Sequence, residues 1–95
     1  MQVQIHSIHF DADQSLISFI ESKVAKLNTF HDKIINSDVY LKIEKNNTRE
    51  NKVAEVKIHA PGVEFFAKRR AVSFEASIDE ALEAIRRQIS KQKKD

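Results

Sequence analysis

The segment from Ser73 to Lys94 limits most strongly what this chain of 95 residues can fold into. Its apolar residues recur at helical spacing and cover an arc about 100° wide, which is typical of a helix that lies on a core. These residues are Phe74, Ile78, Ala81, Leu82, Ile85 and Ile89. Ser73 is the predicted N-cap, because its hydroxyl can accept a hydrogen bond from a free amide of the first turn. A domain this small buries a modest core, so every other element must also contribute an apolar face.

Charge is unevenly distributed along the same segment. Acidic side chains come first and basic side chains last, an order that suits the helix dipole. We expect one ion pair within the helix, between Glu83 and Arg87 at i, i+4. The whole chain has a net charge of only +2, but five basic residues and one acidic residue lie from position 86 onward, which gives +4. A local patch of this kind attracts polyanions even when the protein as a whole is nearly neutral.

The residues before this helix predict four strands and one further helix. Apolar and polar residues alternate in four stretches, and a helical apolar stripe follows Asp13, which is the predicted N-cap of the first helix. The predicted strands are 1–8, 38–45, 52–60 and 63–70, and the predicted first helix is 14–28. A turn at Pro61 and Gly62 joins the last two strands.

This order, β-α-β-β-β-α, predicts an α+β fold in a single domain that spans residues 1–95. The first two strands are joined through a helix and should be parallel with a right-handed crossover, and the last three strands should be antiparallel. Each strand has one apolar and one polar face, so both helices should pack on one face of a four-stranded sheet. We then expect Lys23 and Lys26 of the first helix to lie near the basic end of the last helix.

Composition excludes several classes of site. The absence of cysteine excludes disulfides, thiol catalysis and cysteine-based metal sites, and the single glycine excludes a glycine-rich phosphate loop. The four histidines are spread over strands and loops without the helical spacing of metal ligands, at His6, His9, His31 and His59. We therefore expect no enzyme activity, no cofactor and no metal. No signal peptide or membrane-spanning stretch is visible, so the expected location is the cytoplasm.

The basic residues at the end of the last helix allow two interpretations. On a helical wheel Arg87, Lys91 and Lys94 form a solvent-facing row, and Arg86 and Lys93 form the opposite flank of the helix. The row could be a solvated helix end that satisfies the terminal carbonyl groups. It could also be a ridge that binds nucleic acid phosphates, because fixed cations displace condensed counterions.

A second basic run, Lys68-Arg69-Arg70, lies just before this helix and offers candidates for additional phosphate contacts. Tyr40 and Phe66, on the open face of the predicted sheet, could stack on bases. Lone aromatic residues on such a face are more often cross-strand packing partners. Both interpretations of the two rings stay open at this point.

Three segments together carry a resemblance to a known family. They are Leu16…Phe19-Ile20…Lys23-Val24-Ala25-Lys26-Leu27, Val39-Tyr40-Leu41-Lys42-Ile43-Glu44-Lys45, and Ala76-Ser77-Ile78-Asp79…Arg87-Gln88-Ile89-Ser90-Lys91-Gln92-Lys93. Over essentially its whole length the chain resembles the short bacterial ribosome hibernation promoting factors, also called ribosome-associated inhibitors or sigma-54 modulation proteins.

The resemblance implies a fold akin to double-stranded-RNA-binding domains and a role without catalysis. It implies binding to the 16S rRNA of the small ribosomal subunit, in the channel that messenger RNA and transfer RNA anticodons would occupy. Translation would then be blocked, and inactive ribosomes would be stored during stress or stationary phase. No membrane or DNA partner is expected, and the protein is expected to be a monomer away from the ribosome.

The residues expected to contact rRNA lie on both helices. By resemblance they are Lys23, Lys26, Arg87, Lys91 and Lys93. The charge pattern adds Arg86 and Lys94, with Lys68, Arg69 and Arg70 as further candidates.

Three positions depart from the family pattern. Ser73 and Glu75 stand where the family usually has Asp and Tyr, and Ala84 stands where a lysine is common, so that lysine contact is absent. Two other functions therefore stay open. One is a free-standing regulator that binds structured RNA away from the ribosome, and the other is a protein-interaction module that modulates a transcription factor.

Overall fold

A computed structural model describes residues 2–45 and 48–92 of the chain. The element order is β-α-β-β-β-α, as predicted. The elements are β1 (Gln2–Ile8), α1 (Gln14–Ala25), β2 (Asn36–Ile43), β3 (Lys52–Ala60), β4 (Val63–Ala71) and α2 (Phe74–Gln92). Lys93 and Lys94, which were both predicted to contact rRNA, lie outside the described residues.

The four strands form one sheet in the order β1-β2-β3-β4. β1 and β2 are parallel, with Gln2 opposite Asn36, and the β2–β3 and β3–β4 pairs are antiparallel. The predicted arrangement of one parallel and two antiparallel pairs is therefore confirmed. β2 begins two residues earlier than its alternation suggested, because the parallel pairing with β1 already starts at Asn36.

Both predicted helix caps are present. The Asp13 carboxylate accepts a hydrogen bond from the Leu16 amide at 2.8 Å, and the Ser73 hydroxyl accepts one from the Ala76 amide at 3.1 Å. α1 ends at Ala25, earlier than predicted, because the chain tightens there into a 3₁₀ turn over residues 26–29. Such a turn is a common way to satisfy the last carbonyl groups of a helix.

Both helices pack on one face of the sheet and share one core, as the strand faces predicted. α2 lies over β3 and β4, and α1 lies beside α2 and over β1. The core residues with no measurable exposure come from both layers, and they are Ile20, Val24, Val39, Leu41, Ala54, Val56, Ile58, Ile78, Ala81 and Ile85. The other face of the sheet is open, so the charged side chains on α2 and on the open face are available to a partner.

Two serines are fully buried in this core. The Ser77 hydroxyl donates to the Phe74 carbonyl oxygen at 3.1 Å, whereas the Ser37 hydroxyl has no hydrogen-bond partner among the described residues. Within the described part of the chain, no helix is both long and apolar enough to cross a lipid bilayer.

Candidate nucleic-acid interface

The basic run on β4 is divided between the two faces of the sheet. Successive side chains of a strand point to opposite faces. Arg69 is opposite Ala54, a buried residue of the helix-covered face, so Arg69 lies on the same side as α2. Lys68 and Arg70 lie on the open face. A run that is continuous in sequence thus supplies two separate surfaces.

The surface on the helix side is a shallow groove between β4 and α2. Arg69, Arg87 and Lys91 line it together with Ala84 and Gln88, and its volume is about 380 Å³. Arg87 and Lys91 are one helical turn apart, so both side chains project from the same side of α2. We call this surface the cationic groove.

None of the three cations of the cationic groove has a carboxylate within ion-pair distance among the described residues. Arg69 makes one hydrogen bond, from Nη1 to the Lys68 carbonyl oxygen at 2.8 Å. Three positive charges therefore converge, and among the described residues none of them is in an ion pair. Such a site favours a polyanion, because its cations can replace the counterions of a phosphate backbone.

Gln88 holds α2 against β4 beside this groove. The Phe66 amide donates to Gln88 Oε1 at 3.2 Å, and Gln88 Nε2 donates to the Phe66 carbonyl oxygen at 2.7 Å. The side chain thereby satisfies both outward backbone groups of one residue on the edge strand. It was not among the predicted site residues. Its only sequence signal is a position between Arg87 and Ile89, at the border of the apolar stripe.

Arg86 points away from the cationic groove. It donates two hydrogen bonds to the Glu83 carboxylate, one of them from Nε to Oε2 at 3.2 Å, and its guanidinium lies 5.7 Å from the centre of the Phe30 ring. The hydrogen bond to Arg86 lowers the pKa of Glu83, and the same bond raises the pKa of Arg86. The predicted Glu83–Arg87 ion pair is therefore wrong: Arg86 forms the ion pair with this carboxylate, and Arg87 exerts only a weaker attraction that also lowers the pKa of Glu83.

Lys23 does not reach the basic end of α2. Its Nζ lies 3.5 Å from Asp79 Oδ1 and 5.5 Å from the centre of the Phe19 ring. Asp79 precedes Lys91 by twelve residues, or about 18 Å along the helix axis. The expected approach of α1 lysines to the basic end is wrong for Lys23, because the end of α1 packs beside the acidic half of α2. Lys26 is exposed in the 3₁₀ turn and has no ion pair with any residue that the structure describes.

The open face carries the remaining candidates. Arg70 forms an ion pair with Glu44 at 2.6 Å, and Lys68 is exposed. The Tyr40 ring stacks on His6 with 4.6 Å between ring centres, and Lys57 Nζ lies 5.7 Å from the centre of the same ring. Tyr40 is therefore a cross-strand packing residue and not a free stacking platform.

Phe66, the other candidate for stacking, is 42% exposed.

Of the predicted residues, the fold brings together Arg69, Arg87 and Lys91, and it separates Lys23 and Arg86 from them. Among the described residues, no group of three or more His, Asp and Glu side chains could hold a metal ion.

Comparison with known proteins gives consistent matches over nearly the whole chain. Residues 3–95 match the family described as "Sigma 54 modulation protein / S30EA ribosomal protein". A ribosome hibernation promoting factor of Pseudomonas putida is 33% identical over 93 residues, which are 98% of this chain and 87% of that protein. The Escherichia coli protein of the same name is 29% identical and is covered to 94%.

Two solved structures share the fold. A ribosomal subunit interface protein from Coxiella burnetii superposes with a TM-score of 0.88 over the full length of both chains, at 21% identity. The N-terminal domain of Thermus thermophilus Protein Y superposes with a TM-score of 0.84 at 18% identity, covering 98% of this chain and all of that one. These structures support the same arrangement of strands and helices.

Proposed function

Because the chain belongs to the sigma 54 modulation protein / S30EA ribosomal protein family, we propose that it is a ribosome hibernation factor without catalytic activity. The relatives that match almost the same span carry that name. In this proposal residues 1–95 act as one domain in the cytoplasm. The domain binds the 16S rRNA of the small subunit in the channel for messenger RNA and transfer RNA, and thereby blocks translation during stress or stationary phase.

The cationic groove is the single observation that best supports this function. Arg69, Arg87 and Lys91 come from two different elements and line one groove, and none of them forms an ion pair with a carboxylate of the described residues. Each cation that contacts a phosphate releases condensed counterions. Three such contacts give a slope of log K against log salt of roughly −2 to −3.

The cations outside the groove are proposed as secondary contacts. Lys23 and Arg86 form ion pairs that are largely open to solvent. Exposed pairs contribute little to stability, so a phosphate can replace the carboxylate at small cost. The remaining proposed contacts are Lys26, Lys68, Arg70, Lys93 and Lys94.

Co-sedimentation with purified small ribosomal subunits tests the proposal. We expect the wild type to pellet with subunits at low salt and the Arg87→Glu/Lys91→Glu variant to remain in the supernatant. The matched control is Lys45→Glu/Arg49→Glu, which changes the charge equally at exposed positions in the connection after β2. Equal sedimentation of the groove variant and the wild type would show that the groove is not the contact.

Two further binding measurements distinguish the alternative functions from this proposal. Equal affinity for naked duplex RNA and for intact subunits would favour a free-standing RNA regulator. Binding to a partner that withstands nuclease and high salt would favour a protein-interaction module. The groove predicts a different result, in which binding requires RNA and weakens steeply with salt.

A further inference from the structure

Phe66 has an unusual setting on the open face of the sheet. A single exposed phenylalanine is ordinary on a protein surface. Here, however, the other aromatic ring of the face, Tyr40, is packed by His6 and Lys57, whereas Phe66 has no ring or cation partner among the described residues. Phe66 therefore offers an aromatic face that the fold itself does not use.

The backbone of Phe66 is held in place. The carboxamide of Gln88 occupies both its amide and its carbonyl group, at 3.2 and 2.7 Å. An edge strand with free backbone groups would invite another strand to pair with it. At Phe66 the hydrogen bonds to Gln88 prevent such strand pairing. Its side chain therefore remains available to a partner, and it projects from a fixed backbone position.

The ring is adjacent to the cationic groove around the edge of β4. Gln88 lines the groove and bonds the backbone of Phe66, so one side chain joins the two sites. Arg69 follows Phe66 by three residues, which is about 10 Å along a strand, and it projects to the opposite face. A nucleic acid strand with its phosphates in the groove would have to pass around the edge of β4 for one of its bases to reach the Phe66 ring.

The charges around the ring favour a neutral group over a second phosphate. Lys57 lies opposite Phe66 in the register, and Glu55 lies opposite Lys68. Glu64, two residues before Phe66, is 3.4 Å from His59. Positive and negative side chains thus alternate on this part of the face. A nucleobase is uncharged and has a π-face, so it suits such a surface where a phosphate does not.

We propose that Phe66 is a stacking site for one unpaired nucleobase of an RNA whose backbone lies in the cationic groove. The inference rests on the proposed function and adds recognition of a single-stranded nucleotide to phosphate binding. Stacking of a base on an aromatic side chain contributes roughly a 5- to 150-fold gain in affinity. Loss of the ring should therefore weaken binding by a factor in that range while the groove stays intact.

The first experiment compares side chains at position 66. Phe66→Leu keeps an apolar side chain but removes the π-face, and Phe66→Trp keeps stacking. We expect Phe66→Leu to bind small ribosomal subunits at least 5-fold more weakly than wild type, and Phe66→Trp to bind like wild type. Ile35→Ala is the control, because Ile35 is also an exposed apolar residue but precedes β2 at the end of the sheet away from Arg69.

The second experiment uses the absence of tryptophan from the chain. The Phe66→Trp variant carries a single tryptophan fluorophore, and so does its control, Ile35→Trp. We expect unstructured oligouridylate to quench the emission of Phe66→Trp and a duplex RNA of equal length to leave it unchanged. We expect neither RNA to quench Ile35→Trp.

Every other result overturns the inference. If Phe66→Leu binds subunits like wild type, the ring makes no contact. If Phe66→Leu binds weakly but oligouridylate leaves the tryptophan emission unchanged, the ring contacts a group other than a base. Quenching of both tryptophan variants indicates unspecific binding. The proposed function is tested by a different result: it fails if the Arg87→Glu/Lys91→Glu variant sediments with small subunits as the wild type does.

Discussion

The side chain of Gln88 forms hydrogen bonds to both the amide and the carbonyl oxygen of Phe66, as a neighbouring strand would. This contact fixes the C-terminal half of α2 against the edge of the sheet. It also sets the distance between Arg69 on the strand and Arg87 and Lys91 on the helix, so the geometry of the cationic groove depends on a neutral residue.

Removal of this contact should weaken both stability and binding. Each hydrogen bond contributes about 0.5–1.5 kcal/mol, so Gln88→Leu, which removes two, should lower the free energy of unfolding by about 1–3 kcal/mol. It should also weaken subunit binding, because the hydrogen bonds that fix this part of α2 beside Phe66 are lost while the core packing of α2 remains. Urea denaturation and co-sedimentation measure the two effects. Gln92→Leu makes the same change at an exposed position of α2 and should have neither effect.

The two arginines of β4, Arg69 and Arg70, should differ in their effect on binding. Arg69→Ala removes a cation of the groove and should reduce the slope of log K against log salt by roughly 0.7 to 0.9. Arg70→Ala should reduce it less, because Arg70 already pairs with Glu44 at 2.6 Å. Subunit binding measured between low and moderate salt gives both slopes. Equal slopes for the two variants would contradict the division of this run between two faces.

The two buried serines should respond to alanine in opposite directions. A buried hydroxyl without a partner costs about 1–3 kcal/mol, so Ser37→Ala should stabilise the protein by about 1 kcal/mol. Ser77→Ala removes a hydrogen bond to the Phe74 carbonyl oxygen and should destabilise it by about 0.5–1.5 kcal/mol. Urea denaturation of both variants measures the difference. Destabilisation by Ser37→Ala would indicate that its hydroxyl has a partner.

The Glu83–Arg86 pair should give a small acid dependence of stability. The pKa of Glu83 lies below its ordinary value of 4.5, so the folded state favours the ionised carboxylate. The pair should therefore stabilise the protein fully above pH 4.5, and its contribution should be lost as the pH falls through the folded-state pKa. The difference in Tm between wild type and Glu83→Gln should be constant near neutral pH and should shrink on acidification. A difference that grows below pH 4.5 would contradict the pairing.

Local periodicity was sufficient to predict the elements and their caps. The alternation in β3 and the helical stripe in α2 each indicate which side chains face the core. This is possible because the repeat of a strand or a helix spans only two to four residues along the chain. Asp13 and Ser73 were identifiable as caps for the same reason, since each bonds an amide only three residues away. The end of α1 was less predictable, because the tightening into a 3₁₀ turn has no periodic signal.

The sequence by itself determined the order of the elements, their buried faces and the charge gradient along α2, all of which depend on spacings of a few residues. Only the tertiary structure decided which cations meet. It placed Arg69 with Arg87 and Lys91, left Lys23 beside Asp79, and turned Arg86 toward Glu83. These proximities depend on how α2 lies across the sheet and against α1. That placement results from the packing of the whole core, and no local pattern of residue types encodes it.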